Sequence, residues 1–179
     1  MKPCALRSRM EVRGNPLYTH PTLSFPFPIC LSSSHILLIL ATPGNCWNGG
    51  EFYGTPEYNS LVLLNRYLEK YPQDAGKFVI SIKGGVSPTT HETDGSIENT
   101  RRSLDDCLAQ LGGRCKLDIF EFGRRDPKVP LEVTFGFIEK EYVKTGKIGG
   151  ISLSEVRAET IHEAVKYTKI VAVEAELSL

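Results

Sequence analysis

From residue 46 onward the sequence alternates between short apolar runs and longer amphipathic stretches, and this alternation limits the fold more than any other feature. The apolar runs have the length and the β-branched content of buried strands. They occupy residues 78–83, 117–122 and 170–173, with weaker candidates at 148–153 and 46–48. Strand, helix, strand, helix at this spacing predicts a parallel sheet of the α/β class.

The stretches between the apolar runs have helical periodicity. In the first, at 57–71, one face carries Leu61, Leu64, Leu68 and Tyr71. Thr55 and Pro56 predict its N-cap and its first-turn proline.

A second helix is predicted to begin at Ser96 and to end at Gly112-Gly113, where a C-terminal glycine is expected. Its inward-facing side chains are predicted to be Ile97, Leu104, Leu108 and Leu111. Stretches 130–145 and 155–168 predict two further helices, and Gly146 ends the first of them.

Residues 1–45 differ from the rest and are expected to form a separate extension, with residues 46–179 as the folded domain. They contain six of the eleven prolines, namely Pro3, Pro16, Pro21, Pro26, Pro28 and Pro43. Proline removes a backbone donor, so we expect this extension to be irregular or disordered. The apolar run 36–41 is shorter than the roughly 20 residues that span a bilayer. A targeting segment is the alternative, but its basic residues would lie far upstream.

Charge and cysteine content exclude several classes of function. Lys plus Arg and Asp plus Glu both number 21, so no overall field favours nucleic acid or an anionic membrane. The five cysteines form no C-x-x-C pair, and no histidine spacing suggests zinc, so no metal site is expected. Free thiols are typical of a reducing compartment, which favours a cytoplasmic location.

Three polar side chains follow predicted strands at the edge where parallel α/β folds bind ligands: Asn48, Tyr53 and Lys83. A tyrosine beside a lysine ammonium can act as a general acid, because the positive charge favours the phenolate. The residue pattern alone leaves the alternative open, since tyrosines near glycines often pack and strand-end lysines are often solvated.

Four motifs, taken in order, resemble the aldo-keto reductase family. The segment N-G-G-E-F-Y-G at 48–54 resembles the family's D-T-A-E-x-Y-G, and it is followed by S-I-K-G-G, D-I-F-E-F-G-R and G-G-I-S-L-S-E. The wording W-N-x-G-E-F-Y-G is similar to the fungal pyridoxal reductase branch. The resemblance implies a (β/α)8 TIM barrel that reduces a carbonyl with NADPH.

The resemblance also implies roles for individual residues. Tyr53 would protonate the carbonyl oxygen, and Lys83 would lower the pKa of that tyrosine. Asn48 stands at the family's aspartate position, so the lysine is expected to lose its carboxylate partner. Ser154 and Glu174 match the positions that bind the nicotinamide carboxamide.

Further departures from the family concern Gly123, which stands at the usual histidine position, and Arg157, which stands where a serine caps the next helix.

A complete barrel has eight strands and roughly 250 residues. The chain matches about five strands, so we expect an incomplete barrel, truncated at both ends. The expected function is NADPH-dependent reduction of a small-molecule aldehyde such as pyridoxal, impaired by truncation. A non-catalytic remnant or a protein-interaction half-barrel is the alternative, and open sheet edges predict self-association.

Overall fold

The structure is a computed structural model, and it describes residues 45–176. The predicted irregular extension, residues 1–45, lies outside this range except for Asn45. In chain order the strands are β1 (Cys46–Gly50), β2 (Gly54–Thr55), β3 (Tyr58–Asn59), β4 (Val79–Gly84), β5 (Leu117–Phe122), β6 (Ile148–Ser154) and β7 (Ile170–Glu174). The α-helices are α1 (Ser60–Lys70), α2 (Ile97–Leu111), α3 (Leu131–Ile138) and α4 (Ala158–Ala164).

Five of the strands form one parallel sheet in the order β1-β4-β5-β6-β7. All five predicted strands are present, with ends that differ from the sequence-based bounds by at most two residues. The other two strands, β2 and β3, form a small antiparallel hairpin directly after β1. Because β1 and β7 have one neighbour each within the described residues, they are the edges of the sheet there.

The two faces of the sheet differ in chemistry. Ile82, Phe120 and Ile151 are paired in register and carry the apolar face, which packs against the helices in the core. Each is at most 1% exposed, and burial of such a side chain contributes roughly 1.5–3 kcal/mol. Residues of the opposite parity, such as Lys83 and Glu121, face the other side. The sheet therefore has an apolar face for the core and a second face that carries polar groups.

Helix α1 begins later than predicted. Thr55 and Pro56 belong to the β2–β3 hairpin, and the N-cap is Asn59, whose Oδ1 accepts a hydrogen bond from Val62 N at 2.9 Å. The prediction was wrong here because two capping signals lie close together, and the proline occupies the hairpin turn. The three leucines predicted for the apolar face of α1, Leu61, Leu64 and Leu68, are all buried.

Helix α2 begins and ends where the sequence predicts. Ser96 accepts a hydrogen bond from Asn99 N, and Gly112 closes the helix in the left-handed conformation with φ of 60°. Leu104 and Leu111 are buried as expected, whereas Ile97 is 38% exposed and does not face the core. The buried face instead includes the polar residues Asn99, Thr100 and Ser103, which a search for apolar periodicity overlooks.

The last two helical segments differ from their predicted form. Helix α3 runs into a π-helical turn, Glu139–Val143, before Gly146 ends the segment with φ of 76°. Helix α4 has only seven residues, and Arg157 at its N-cap makes no capping side-chain hydrogen bond. None of the helices in residues 45–176 combines the length and the apolar character needed to span a bilayer.

Candidate active site

The carboxyl ends of the five parallel strands align in register. Gly50 pairs with Lys83, and Lys83 pairs with Glu121, while Ser154 on β6 pairs with Glu174 on β7. Side chains at paired positions lie on the same face of a sheet. The register thus brings residues from five strands together on the polar face, at the edge where parallel sheets bind ligands.

Tyr53 lies in the loop between β1 and the hairpin. Its backbone N donates to Gly50 O at 3.2 Å, and its carbonyl accepts from Ser60 N at 3.1 Å. The aromatic ring lies against Gly50, where an added Cβ would come within 2.9 Å of ring carbons. The side chain is 55% exposed, so the hydroxyl is available to a ligand from solvent.

Glu51 anchors the loop that carries Tyr53, a role that the sequence analysis did not assign. Its side chain is buried and forms an ion pair with Arg102, and it accepts a hydrogen bond from Ser103 at 2.6 Å. Its backbone N donates to Lys83 O at 2.8 Å. These contacts attach the loop to both α2 and β4, next to the site.

The ammonium of Lys83 lies between two carboxylates. Its Nζ is 2.6 Å from Glu174 Oε1 and 3.0 Å from Glu121 Oε1. Burial opposes the charged form, but the hydrogen bond to Glu174 and the ion pair with Glu121 outweigh it and raise the pKa of Lys83 above its ordinary value. Nearby Tyr53 adds a smaller contribution in the same direction. Lys83 is therefore a stable cation near the Tyr53 phenol.

The expectation that Lys83 lacks a carboxylate partner was therefore wrong. Asn48 does replace the aspartate of the family pattern, but Glu121 and Glu174 supply negative charge from other strands. Glu121 was not singled out from the sequence, although an acid inside the apolar run of β5 is the signal that could have identified it. A buried acid in a strand needs a charged or hydrogen-bonding partner.

Glu121 is only 2% exposed. Its burial raises the pKa of the carboxyl group, and the hydrogen bond and charge of Lys83 oppose that effect. Glu174 raises the pKa further by repulsion, and a hydrogen bond with Ser154 lowers it. Desolvation prevails, so the pKa of Glu121 lies above its ordinary value although the Lys83 cation lowers it.

Asn48 connects the two acids. Its Nδ2 donates to Glu174 Oε2, and it lies 3.5 Å from Glu121 Oε2. The structure therefore places all five residues predicted from sequence at one edge of the sheet. Glu121 contacts Asn48, Lys83 and Ser154. Glu174 contacts Asn48 and Lys83. Ser154, matched to the cofactor by resemblance, is buried and bonded to Glu121.

Two neighbouring features limit what else this edge can do. At Gly123 the backbone N donates to Gly84 O at 3.0 Å, and an added Cβ would lie only 3.2 Å from that oxygen. After β5, Arg125 pairs with Glu163 at 3.1 Å, and buried Asp126 accepts hydrogen bonds from the Gly95 and Lys128 amides. Arg125 and Asp126 are thus engaged in structural contacts.

The chain matches the model of the aldo/keto reductase family over residues 39–179. It is 43% identical over 141 residues to "Probable pyridoxal reductase 2" of Schizosaccharomyces pombe, covering 78% of this chain and 42% of that protein. A Saccharomyces cerevisiae protein whose name includes "pyridoxal reductase" is 37% identical, with 74% and 40% of the two chains covered. The chain therefore spans about two-fifths of the length of these curated relatives.

Solved structures agree on the fold. A glycerol dehydrogenase from Gluconobacter oxydans superposes with a TM-score of 0.65 at 19% identity, over 79% of this chain and 43% of that one. The thermostable aldo-keto reductase Tm1743 gives a TM-score of 0.59 at 23% identity, over 73% and 44%. The predicted partial barrel, with five of its parallel strands, is confirmed. On the family match and the fungal relatives, the chain belongs to the aldo/keto reductase family.

Proposed function

We propose that the chain carries the carbonyl-reducing site of an NADPH-dependent reductase whose substrate is an aldehyde such as pyridoxal. The observation that carries the proposal is the Lys83 ammonium, held by two carboxylates beside the Tyr53 loop at the ligand-binding edge of the sheet. Membership of an oxidoreductase family and the names of the fungal relatives support the reaction and the substrate.

The chain's own residues would manage the proton. A reduced nicotinamide, when bound, supplies a hydride to the carbonyl carbon. The carbonyl oxygen then needs a proton, which the exposed Tyr53 hydroxyl donates. The phenolate left on Tyr53 is stabilised by the Lys83 ammonium, which stays protonated because Glu174 and Glu121 hold it.

The described residues fit the nicotinamide end of the cofactor. A carboxamide offers two N–H donors and one C=O acceptor, and Glu174 is a partly exposed acceptor. Ser152, which pairs directly with Glu121 in the register of β5 and β6, has a buried hydroxyl without a hydrogen-bond partner among residues 45–176. Glu174 would accept from the carboxamide nitrogen, and the Ser154 hydroxyl would contact the amide if it turned away from Glu121.

The test is a chimera in which residues 46–176 replace the matching segment of the fission-yeast relative, which is 43% identical in this region. We expect this chimera to reduce pyridoxal with NADPH. Tyr53→Phe should lower kcat by about 10²- to 10⁴-fold, the usual contribution of general acid catalysis, with little change in NADPH affinity. Lys83→Met should lower kcat in the same direction, because it removes the cation beside the phenolate.

A matched control is Tyr58→Phe, which removes a hydroxyl from a tyrosine that is 72% exposed in the neighbouring hairpin. This variant should keep the kcat of the parent chimera. A folded chimera that binds NADPH and reduces pyridoxal equally fast with phenylalanine at position 53 would refute Tyr53 as the proton donor.

A further inference from the structure

The negative charge beside Lys83 comes from other strands than the one that carries the aspartate in the family pattern. The pattern places an aspartate on the strand that carries Asn48, whereas here that side chain is a neutral amide. The carboxylates that contact Lys83 come from β5 and β7. The negative charge at the lysine thus comes from β5 and β7 and not from the aspartate position of the family pattern.

The two acids differ in how firmly they are held. Glu121 is buried at the register position directly opposite Lys83, and it bonds to Ser154. The Glu174 side chain is 38% exposed. A ligand can therefore displace Glu174 from Lys83, whereas Glu121 keeps its place on a central strand.

We propose that Glu121 is a positioning residue that takes over the role of the missing aspartate: it holds the Lys83 side chain at the site, so that the ammonium stays directed at Tyr53 when Glu174 engages a ligand. The inference rests on the proposed function of Tyr53 and Lys83. It goes further by giving a role at the site to an acid for which the family resemblance implies none.

Asn48 is the matching half of this exchange. Its amide nitrogen approaches carboxylate oxygens of both Glu121 and Glu174, so a donor at this position links the two acids. An aspartate at position 48 would place a third carboxylate against two others and would repel both. The residue types at positions 48 and 121 are thus coupled: the carboxylate that contacts Lys83 lies either at position 48 or at position 121.

The test uses the 179-residue chain and needs no turnover. The rate of Lys83 acylation by a small anhydride is followed by mass spectrometry as a function of pH, because only the free amine reacts. Removing a neighbouring carboxylate favours the free amine, and a change of one pKa unit changes its amount about tenfold. Glu121→Gln should therefore speed Lys83 acylation by about tenfold or more at a fixed alkaline pH, with an unchanged plateau rate.

Two variants complete the design. Glu69→Gln is the control, since Glu69 is an exposed acid that pairs with Arg114 on the surface. It should leave Lys83 acylation unchanged. The double variant Asn48→Asp with Glu121→Gln moves the charge back to β1 and should restore slow acylation, whereas Asn48→Asp alone should not mimic Glu121→Gln.

The proposal is overturned if Glu121→Gln leaves the Lys83 profile unchanged, or if the double variant reacts as fast as Glu121→Gln. If Glu121→Gln does not fold, NMR of the unaltered chain decides the question. The Lys83 side-chain resonances must then shift at the pH where Glu121 titrates, and their failure to do so refutes the contact. Failure of the proposed function is a separate result, since it appears only as Tyr53-independent turnover in the chimera.

Discussion

Two buried threonines should respond in opposite ways to the same substitution, threonine to valine: one variant should gain stability and the other should lose it. Thr100 on α2 is fully buried, and its Oγ1 has no hydrogen-bond partner among residues 45–176. Thr134 on α3 is equally buried, but its Oγ1 donates to Gly95 O at 2.6 Å. Replacing either with valine exchanges a hydroxyl for a methyl group of similar size.

The structure sets the sign and the size of each effect. Burying an unpaired hydroxyl costs about 1–3 kcal/mol in proteins, and valine and threonine have similar helix propensities. Thr100→Val should therefore raise the free energy of unfolding by about 1 kcal/mol. Thr134→Val should lower it by about 1–3 kcal/mol, because it leaves the buried Gly95 carbonyl without its donor.

The assay is urea unfolding followed by fluorescence of Trp47, the single tryptophan, which stacks on Phe78 at a centroid distance of 4.0 Å. With equal m-values, the unfolding midpoint of Thr100→Val should exceed that of the parent chain, and that of Thr134→Val should fall below it. The reasoning is refuted if Thr100→Val destabilises the protein as much as Thr134→Val does. That outcome would mean that the Thr100 hydroxyl is hydrogen-bonded.

Two further predictions concern titrating groups. Cys107 is fully buried, which shields its thiol and raises its pKa, whereas Cys46 is exposed, although its pKa is also raised. Iodoacetamide should therefore modify Cys46 in the folded chain and reach Cys107 only after unfolding. Equal rates would contradict the packing of α2. A hydrogen bond from Lys77 lowers the pKa of Asp74 below its ordinary 3.8, so its contribution to stability is present above pH 3.8 and disappears as pH falls through the folded-state pKa. Asp74→Asn should therefore lower the urea midpoint at neutral pH and not in strong acid, and an equal loss at both would exclude this linkage.

Features that depend on neighbouring residues could be predicted from the sequence. The Ser96 cap and the Gly112 stop of α2 act within one helical turn, so both were predicted correctly. The strands of the sheet were also predicted, since each is a short apolar run between turn signals. Alternation of the two element types was then sufficient to predict a parallel sheet.

The partners of Lys83 could not be predicted in the same way. Glu121 meets Lys83 only because β4 and β5 pair in one particular register, which is set by contacts distant in sequence. The family motif predicts the acid at position 48, which here is Asn48, so a carboxylate on another strand was not expected. The start of α1 was mispredicted because Thr55 and Asn59 both offer a cap, and the hairpin decides between them.

The glycine at position 50 has a consequence for protein engineering. The Tyr53 ring occupies the volume that a Cβ would fill there, and the family pattern has an alanine at that position. A loop transplanted from this chain into another barrel must therefore bring Gly50 with it, or the added methyl group would push the ring away from the strand. Positions 50 and 53 should be exchanged together as one unit, even though only the tyrosine carries a reactive group.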